Sequence, residues 1–166
     1  MPRKSAIFLP IFLAGVVLDQ LTKLWVMRDL ALGARVPIIS GFFNLVHVHN
    51  RGAAFGLMAG LSDAFARFFF IGTTGVVLAV VGYLLWRLPA GHNRAAVGYT
   101  LILTGAVGNL LDRLRLGEVV DFLDFYWGTY HWPAFNVADS LVCLGAGVLA
   151  WVILKDEAGA HASDTA

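Results

Sequence analysis

The sequence predicts an all-α membrane protein of four transmembrane helices, with a small extracytoplasmic β-containing segment and an aromatic-rich loop. Three observations carry that prediction. Hydrophobic residues make up 58% of the 166 residues and charged residues 14%, and the mean hydropathy is +0.73, outside the balance of a soluble domain. Four apolar segments, about 6–27, 65–88, 95–113 and 134–154, lie near the roughly 20 residues that a helical span requires. The two long connections, about 28–64 and 114–133, fall on one side of such a bundle, so any site is expected there. The whole chain, 1–166, reads as a single integral membrane domain.

The amino terminus, MPRKSAIFLPIFLAGVVL, combines Arg3 and Lys4 with an apolar run, as a cleavable signal peptide does. Its pattern continues past Asp19 and Lys23 to Trp25, Val26 and Met27, which makes it an anchor helix instead. Leu13-Ala14-Gly15 resembles the start of a lipobox, but Val16 stands where the cysteine belongs, so the chain is not itself a lipoprotein. In 28–64, Pro37, Gly41, Gly52 and Gly56 act as breakers, and apolar-polar alternation over 43–50 suggests a strand or small sheet. The turn PAGHNR, 89–94, joins the second and third spans into a helical hairpin. Residues 114–133 are dense in rings that favour the membrane-water interface: Phe122, Phe125, Tyr126, Trp127, Tyr130 and Trp132. Basic residues divide almost evenly between the two sides, so they do not fix the orientation. The acids on the loop side and the basic start place both termini in the cytoplasm.

The formal charge of +1 argues against a nucleic-acid partner, and the single cysteine, Cys143, excludes an intramolecular disulfide or a cysteine-rich metal site. His47 and His49 share a strand face but lack a third well-spaced ligand, so no metal or other cofactor is expected. There is no Gly-x-Ser-x-Gly elbow, which disfavours serine catalysis.

Acids inside or beside spans are costly and demand an explanation. Asp19 and Lys23 lie four apart on one helix face, suited to an ion pair, with Gln20 and Thr22 adding hydrogen-bonding groups. Asn109, Asp112 and Arg113 share a face at the end of the third span, one turn from Gly105 and Gly108, whose small size admits another backbone or a substrate. In the fourth span Asn136 reads as a helix cap, while Asp139 lies a turn further in, where capping does not account for it. Asp121, or its rival Asp124, can meet Asp139 at the outer face. Two close carboxylates share a proton, one acting as base and the other as acid, which is the chemistry of an aspartic peptidase. The competing class is a small proton-coupled transporter or channel subunit, which would place acids along several helices rather than at one end.

Five stretches together resemble the lipoprotein signal peptidases, signal peptidase II: Asp19-Gln20-Leu21-Thr22-Lys23, Asn50-Arg51-Gly52-Ala53-Ala54-Phe55, Gly108-Asn109-Leu110-Leu111-Asp112-Arg113, Val119-Val120-Asp121-Phe122 and Phe135-Asn136-Val137-Ala138-Asp139-Ser140. The resemblance implies an aspartic endopeptidase of the bacterial cytoplasmic membrane that removes signal peptides from prolipoproteins, cutting before the diacylglyceryl-modified cysteine. It implies Asp121 and Asp139 as the catalytic pair, Asn50, Asn109, Arg113 and Asn136 as substrate-binding residues, and Asp19, Lys23 and Asp112 as support. It also implies an outward-facing site under a mobile loop, for which the aromatic segment 122–132 is the expected cover. Its partners would be lipid-modified prolipoproteins and membrane lipids, with the enzyme acting as a monomer. Gly56 stands where the family often has serine.

Overall fold

The computed structural model describes residues 2–52 and 63–164, so Gly56 lies outside the described residues. The elements in order are α1 (Pro2–Asp29), β1 (Arg35–Ile39), β2 (Phe43–Asn50), α2 (Asp63–Arg87), α3 (Asn93–Arg115), β3 (Val119–Trp127), β4 (Tyr130–His131) and α4 (Val137–Asp164). Four helical stretches are long and apolar enough to cross a membrane: Ala6–Asp29, Ala64–Arg87, Asn93–Arg115 and Val137–Lys155. The third has the lowest mean hydropathy, 1.3 against 2.2 for the second. The reason is its position: α3 is the central helix, packed against α1, α2 and α4, and it carries the polar residues that those neighbours enclose.

Inside a bilayer there is little hydrophobic drive to press helices together, so close packing depends on small residues. A Cβ at Gly98 would meet the Gly145 carbonyl oxygen at 3.0 Å, and one at Gly105 would fall onto the carbonyl oxygen of Ala138. The small residues at 105 and 108 therefore admit α4 and α1: a Cβ at Gly108 would sit 2.6 Å from an Asp19 carboxylate oxygen. Thr100 and Thr104, both buried, return their hydroxyls to Ala96 and Thr100 carbonyls at 2.7 Å and leave no polar group unpaired in the seam. Gly105→Val is accordingly expected to cost at least about 1–3 kcal/mol through overpacking. Gly75→Val, at a position with open space around it, should leave thermal unfolding in detergent unchanged.

At one end of the bundle the two long connections combine into an antiparallel sheet of order β1-β2-β3-β4. The segment expected as an aromatic-rich loop is instead β3 and β4. Its first four residues, Val119 to Phe122, are buried on both faces, so the apolar-polar alternation that reveals a half-exposed strand is missing. Its aromatics are built into the sheet: Phe125 packs against Phe42, Phe43 and Phe135, and only Trp127, Tyr130 and Trp132 project outward. The segment is thus not a free cover over the site. Val120 and Phe122 dock with Val26 of α1 in a small core, which fixes the sheet on the bundle.

Candidate active site

The sheet and the bundle meet where four carboxylates come together from different elements: Asp19 of α1, Asp112 of α3, Asp121 of β3 and Asp139 of α4. Asp121 stands on β3, opposite Val48 of β2. Phe135 exchanges backbone hydrogen bonds with Leu123, at 3.1 and 2.8 Å, and so brings the start of α4 alongside β3. Asn136 caps α4: its Oδ1 accepts the Asp139 N–H at 3.0 Å, and the Asp139 carboxylate accepts the Asn136 N–H at 3.3 Å. This reciprocal arrangement is a capping box. Asp139 therefore takes part in the cap, contrary to the sequence expectation. The third position of the helix is close enough to the terminus for its carboxylate to reach back.

Asn136, fully buried, also joins the two aspartates. Its side-chain amide donates to Asp121 Oδ1 at 2.7 Å, while its Oδ1 and backbone N–H close on Asp139. Asn50, at the end of β2, donates to the other Asp121 oxygen at 2.9 Å, and Asn109 of α3 donates to Asp139 at 2.7 Å. Burial pushes the Asp121 carboxyl up to about 7, against hydrogen bonds from Asn50 and Asn136 that favour the ionised form; the neighbouring Asp139 charge adds to the rise.

Beneath the pair lies a buried charged support. Lys23 Nζ reaches Asp19 at 3.0 Å, Asp112 at 2.8 Å and the Asn109 side-chain oxygen at 3.0 Å, which uses all three of its donors. The last contact fixes the Asn109 amide, since an oxygen held by Lys23 leaves the nitrogen to face Asp139. Asp19 accepts the Ala138 N–H at 2.9 Å and so satisfies a second free donor at the start of α4. Asp112 accepts the Val120 N–H at 3.3 Å and ties α3 to β3. Gln20, foreseen only as a hydrogen-bonding neighbour, donates to Asp19, Asp112 and the Gly108 carbonyl and accepts from Arg115. Among the described residues no buried side-chain nitrogen or oxygen lacks a partner.

Arg113 is half-buried, with its guanidinium 5.3 Å from the Phe70 ring centre and no carboxylate within ion-pair distance among the described residues. Asp124, the rival of Asp121, is engaged elsewhere: Asn44 at 2.7 Å, His131 at 2.8 Å and Arg35 at 3.7 Å. Burial raises its carboxyl, but the hydrogen bonds from Asn44 and His131 and the nearby Arg35 together hold it below the usual carboxylate range. His47 and His49 meet each other, with ring nitrogens 3.2 Å apart, and among the described residues no three metal-ligating side chains converge. The buried charges, Asp19, Lys23, Asp112, Asp121 and Asp124, all belong to the sheet end of the molecule.

Four apolar helices carrying a sheet and a buried polar cluster define a membrane enzyme. Two solved bacterial membrane enzyme structures, obtained by the in meso method at 2.3 and 1.9 Å resolution, match with TM-scores of 0.80 and 0.79. Both are 30% identical in sequence, and the matches cover 96% and 94% of this chain and 92% and 95% of theirs. The model of the Signal peptidase (SPase) II family matches residues 11–155, and the chain belongs to that family of peptidases. It is similar to the lipoprotein signal peptidases of Geobacter metallireducens, 45% identical over 91% of this chain and 92% of that protein, and Geobacter sulfurreducens, 46% identical over 91% and 93%. A Vibrio cholerae lipoprotein signal peptidase is 46% identical over 80% of this chain and 78% of its own length.

The raised Asp121 carboxyl has a consequence for stability. A carboxyl whose folded value, about 7, lies above its ordinary 3.8 binds its proton more tightly in the folded state, so stability falls as pH rises through that window and levels off above it. The gap corresponds to roughly 4 kcal/mol. Asp121→Asn is therefore expected to unfold at a higher temperature than the parent protein above about pH 7, with the advantage fading toward about pH 4. Thermal unfolding across that range checks it.

Proposed function

We propose that this chain is an aspartic endopeptidase that removes signal peptides from prolipoproteins, cutting before the diacylglyceryl-modified cysteine, with Asp121 and Asp139 as its catalytic pair. The observation that carries this reading is the bridge through Asn136, which sets two carboxylates of unequal environment side by side at the mouth of the bundle. The pair holds one proton between them: burial favours the neutral form at Asp121, which acts as the acid, and Asp139 acts as the base.

Asp139 takes a proton from water, the hydroxide oxygen bonds to the scissile carbonyl carbon, and Asp121 gives its proton to the carbonyl oxygen. The resulting diol collapses: Asp139 returns its proton to the departing cysteine nitrogen, the carbon-nitrogen bond breaks, and Asp121 recovers a proton as the carboxylic acid forms. Asn50 and Asn136 hold Asp121 in line, Asn109 and Asn136 hold Asp139, and Arg113 supplies a donor for a substrate carbonyl. Asp19, Lys23 and Asp112 support the start of α4. On this reading the enzyme acts as a monomer in the bacterial cytoplasmic membrane, with its site facing outward and both termini inside, where a lipid-modified substrate can enter from the bilayer.

The purified protein in detergent should convert a diacylglyceryl-modified prolipoprotein to a product whose first residue is the modified cysteine. Mass spectrometry reads the position. A cut elsewhere, or none, removes this reading.

A further inference from the structure

The two histidines on β2 form a chain that the reaction above does not use. His49 pairs directly with Val120 across the sheet, and Asn50 with Val119. From these neighbouring positions the two side chains reach diagonally to opposite faces of β3: His49 Nδ1 lies 3.1 Å from Glu118 Oε2, and Asn50 holds Asp121. A bulge between Leu45 and Val48 gives β2 one extra residue and turns His47 inward, where it is 5% exposed. His47 Nδ1 lies 2.9 Å from the Leu30 carbonyl oxygen at the end of α1, and its Nε2 lies 3.2 Å from His49 Nε2. Arg51 donates to Glu118 Oε1 at 2.6 Å.

These contacts fix the number of protons. The Leu30 carbonyl only accepts, so His47 Nδ1 carries a hydrogen. Glu118, ionised beside Arg51, also only accepts, so His49 Nδ1 carries one. The two Nε2 atoms face each other and need one hydrogen between them. The pair therefore holds three protons and one net positive charge, whichever ring carries it. Losing the third proton leaves two acceptors opposed; gaining a fourth opposes two N–H groups. The surrounding charges are Glu118 and Arg51, Arg67 of α2 beside Gly117, and the Arg28–Asp29 pair at the end of α1.

We propose that His49, singly charged as part of this pair, is a positioning residue that clamps β2 to β3 and so keeps Asn50 on Asp121. The clamp rests on the catalytic reading of Asp121 given above. It joins α1, β2 and β3 through the hydrogen shared between the two rings and their contacts with Leu30 and Glu118.

Two measurements test it. NMR of the histidine ring nitrogens, assigned with His47→Gln and His49→Gln, is expected to find three of the four nitrogens protonated near neutrality. Two neutral rings near neutrality overturn the proposal, and since no substrate is present this outcome is separable from failure of the peptidase reading. In steady-state cleavage, His49→Gln keeps a donor for Glu118 but removes the ring that meets His47. It is expected to lose about tenfold in kcat, as a slightly displaced catalytic group would, with KM and the thermal unfolding temperature little changed. An unchanged kcat, or a loss of activity matched by a loss of thermal stability, contradicts the clamp.

Discussion

Replacing either Asp121 or Asp139 by asparagine is expected to lower prolipoprotein cleavage by at least about 10³-fold, while the protein still folds. Asparagine keeps the size of aspartate but neither takes a proton from water nor lends one to a carbonyl oxygen. Folding survives for separate reasons at the two positions. At 139 the amide oxygen can still accept the Asn136 N–H that the carboxylate accepts now. At 121 the neutral amide removes the cost of a buried charge, although it accepts only one of the two amides, from Asn50 and Asn136, that the carboxylate receives. Initial rates of product formation, alongside thermal unfolding of the same preparations, separate lost chemistry from lost structure. The double variant should be little worse than either single one, because the two groups act as a unit.

Lys23→Met is expected to be the most destabilising single change among the polar residues. It leaves Asp19 and Asp112, with side chains at most 2% exposed, with no cation among the described residues within ion-pair distance, in a medium that solvates charge poorly. Breaking such a buried pair from one side costs about 3–5 kcal/mol. The loss should reach the site as well, since Asp19 holds the Ala138 N–H and Lys23 fixes the Asn109 amide that faces Asp139. The triple variant Asp19→Asn, Lys23→Met, Asp112→Asn removes the stranded charges and should recover a large part of the stability but not the activity. Chemical or thermal unfolding in one detergent compares the two; equal losses would count against a charge-based cause.

The four spans were legible because a helix in lipid must be apolar over most of its length, a signal that needs no tertiary information. Their ends were less so: α3 begins at Asn93 and runs to Arg115, beyond the expected 95–113, since charged residues there lie at the interface and do not interrupt the helix. The strand β2 showed its alternation, whereas β3, buried on both faces at its start, did not. Among site residues, the spacing of Asp19 and Lys23 announced an ion pair, but nothing local announced that Lys23 also reaches Asp112 and Asn109, because that contact exists only once α1 packs on α3. Asp121 and Asp124 were alike as sequence; their different surroundings follow from a sheet that pairs β3 with a strand some 70 residues earlier, where Asn50 meets one and Asn44 the other. The capping role of Asp139 follows from α4 starting at Val137, which keeps the acid in the first turn and within reach of the Asn136 N–H, a back-contact that spacing alone does not reveal.

In the proposed mechanism the aspartate pair activates water rather than attacking the peptide itself. A single turnover in water labelled with heavy oxygen tests it most directly, with mass spectrometry of both the released signal peptide and the enzyme. Attack by water places one labelled oxygen in the new carboxyl group of the signal peptide and none in Asp121 or Asp139. Label in either aspartate, with an unlabelled signal peptide after the first turnover, would mean that a carboxylate forms a covalent intermediate and would contradict the mechanism.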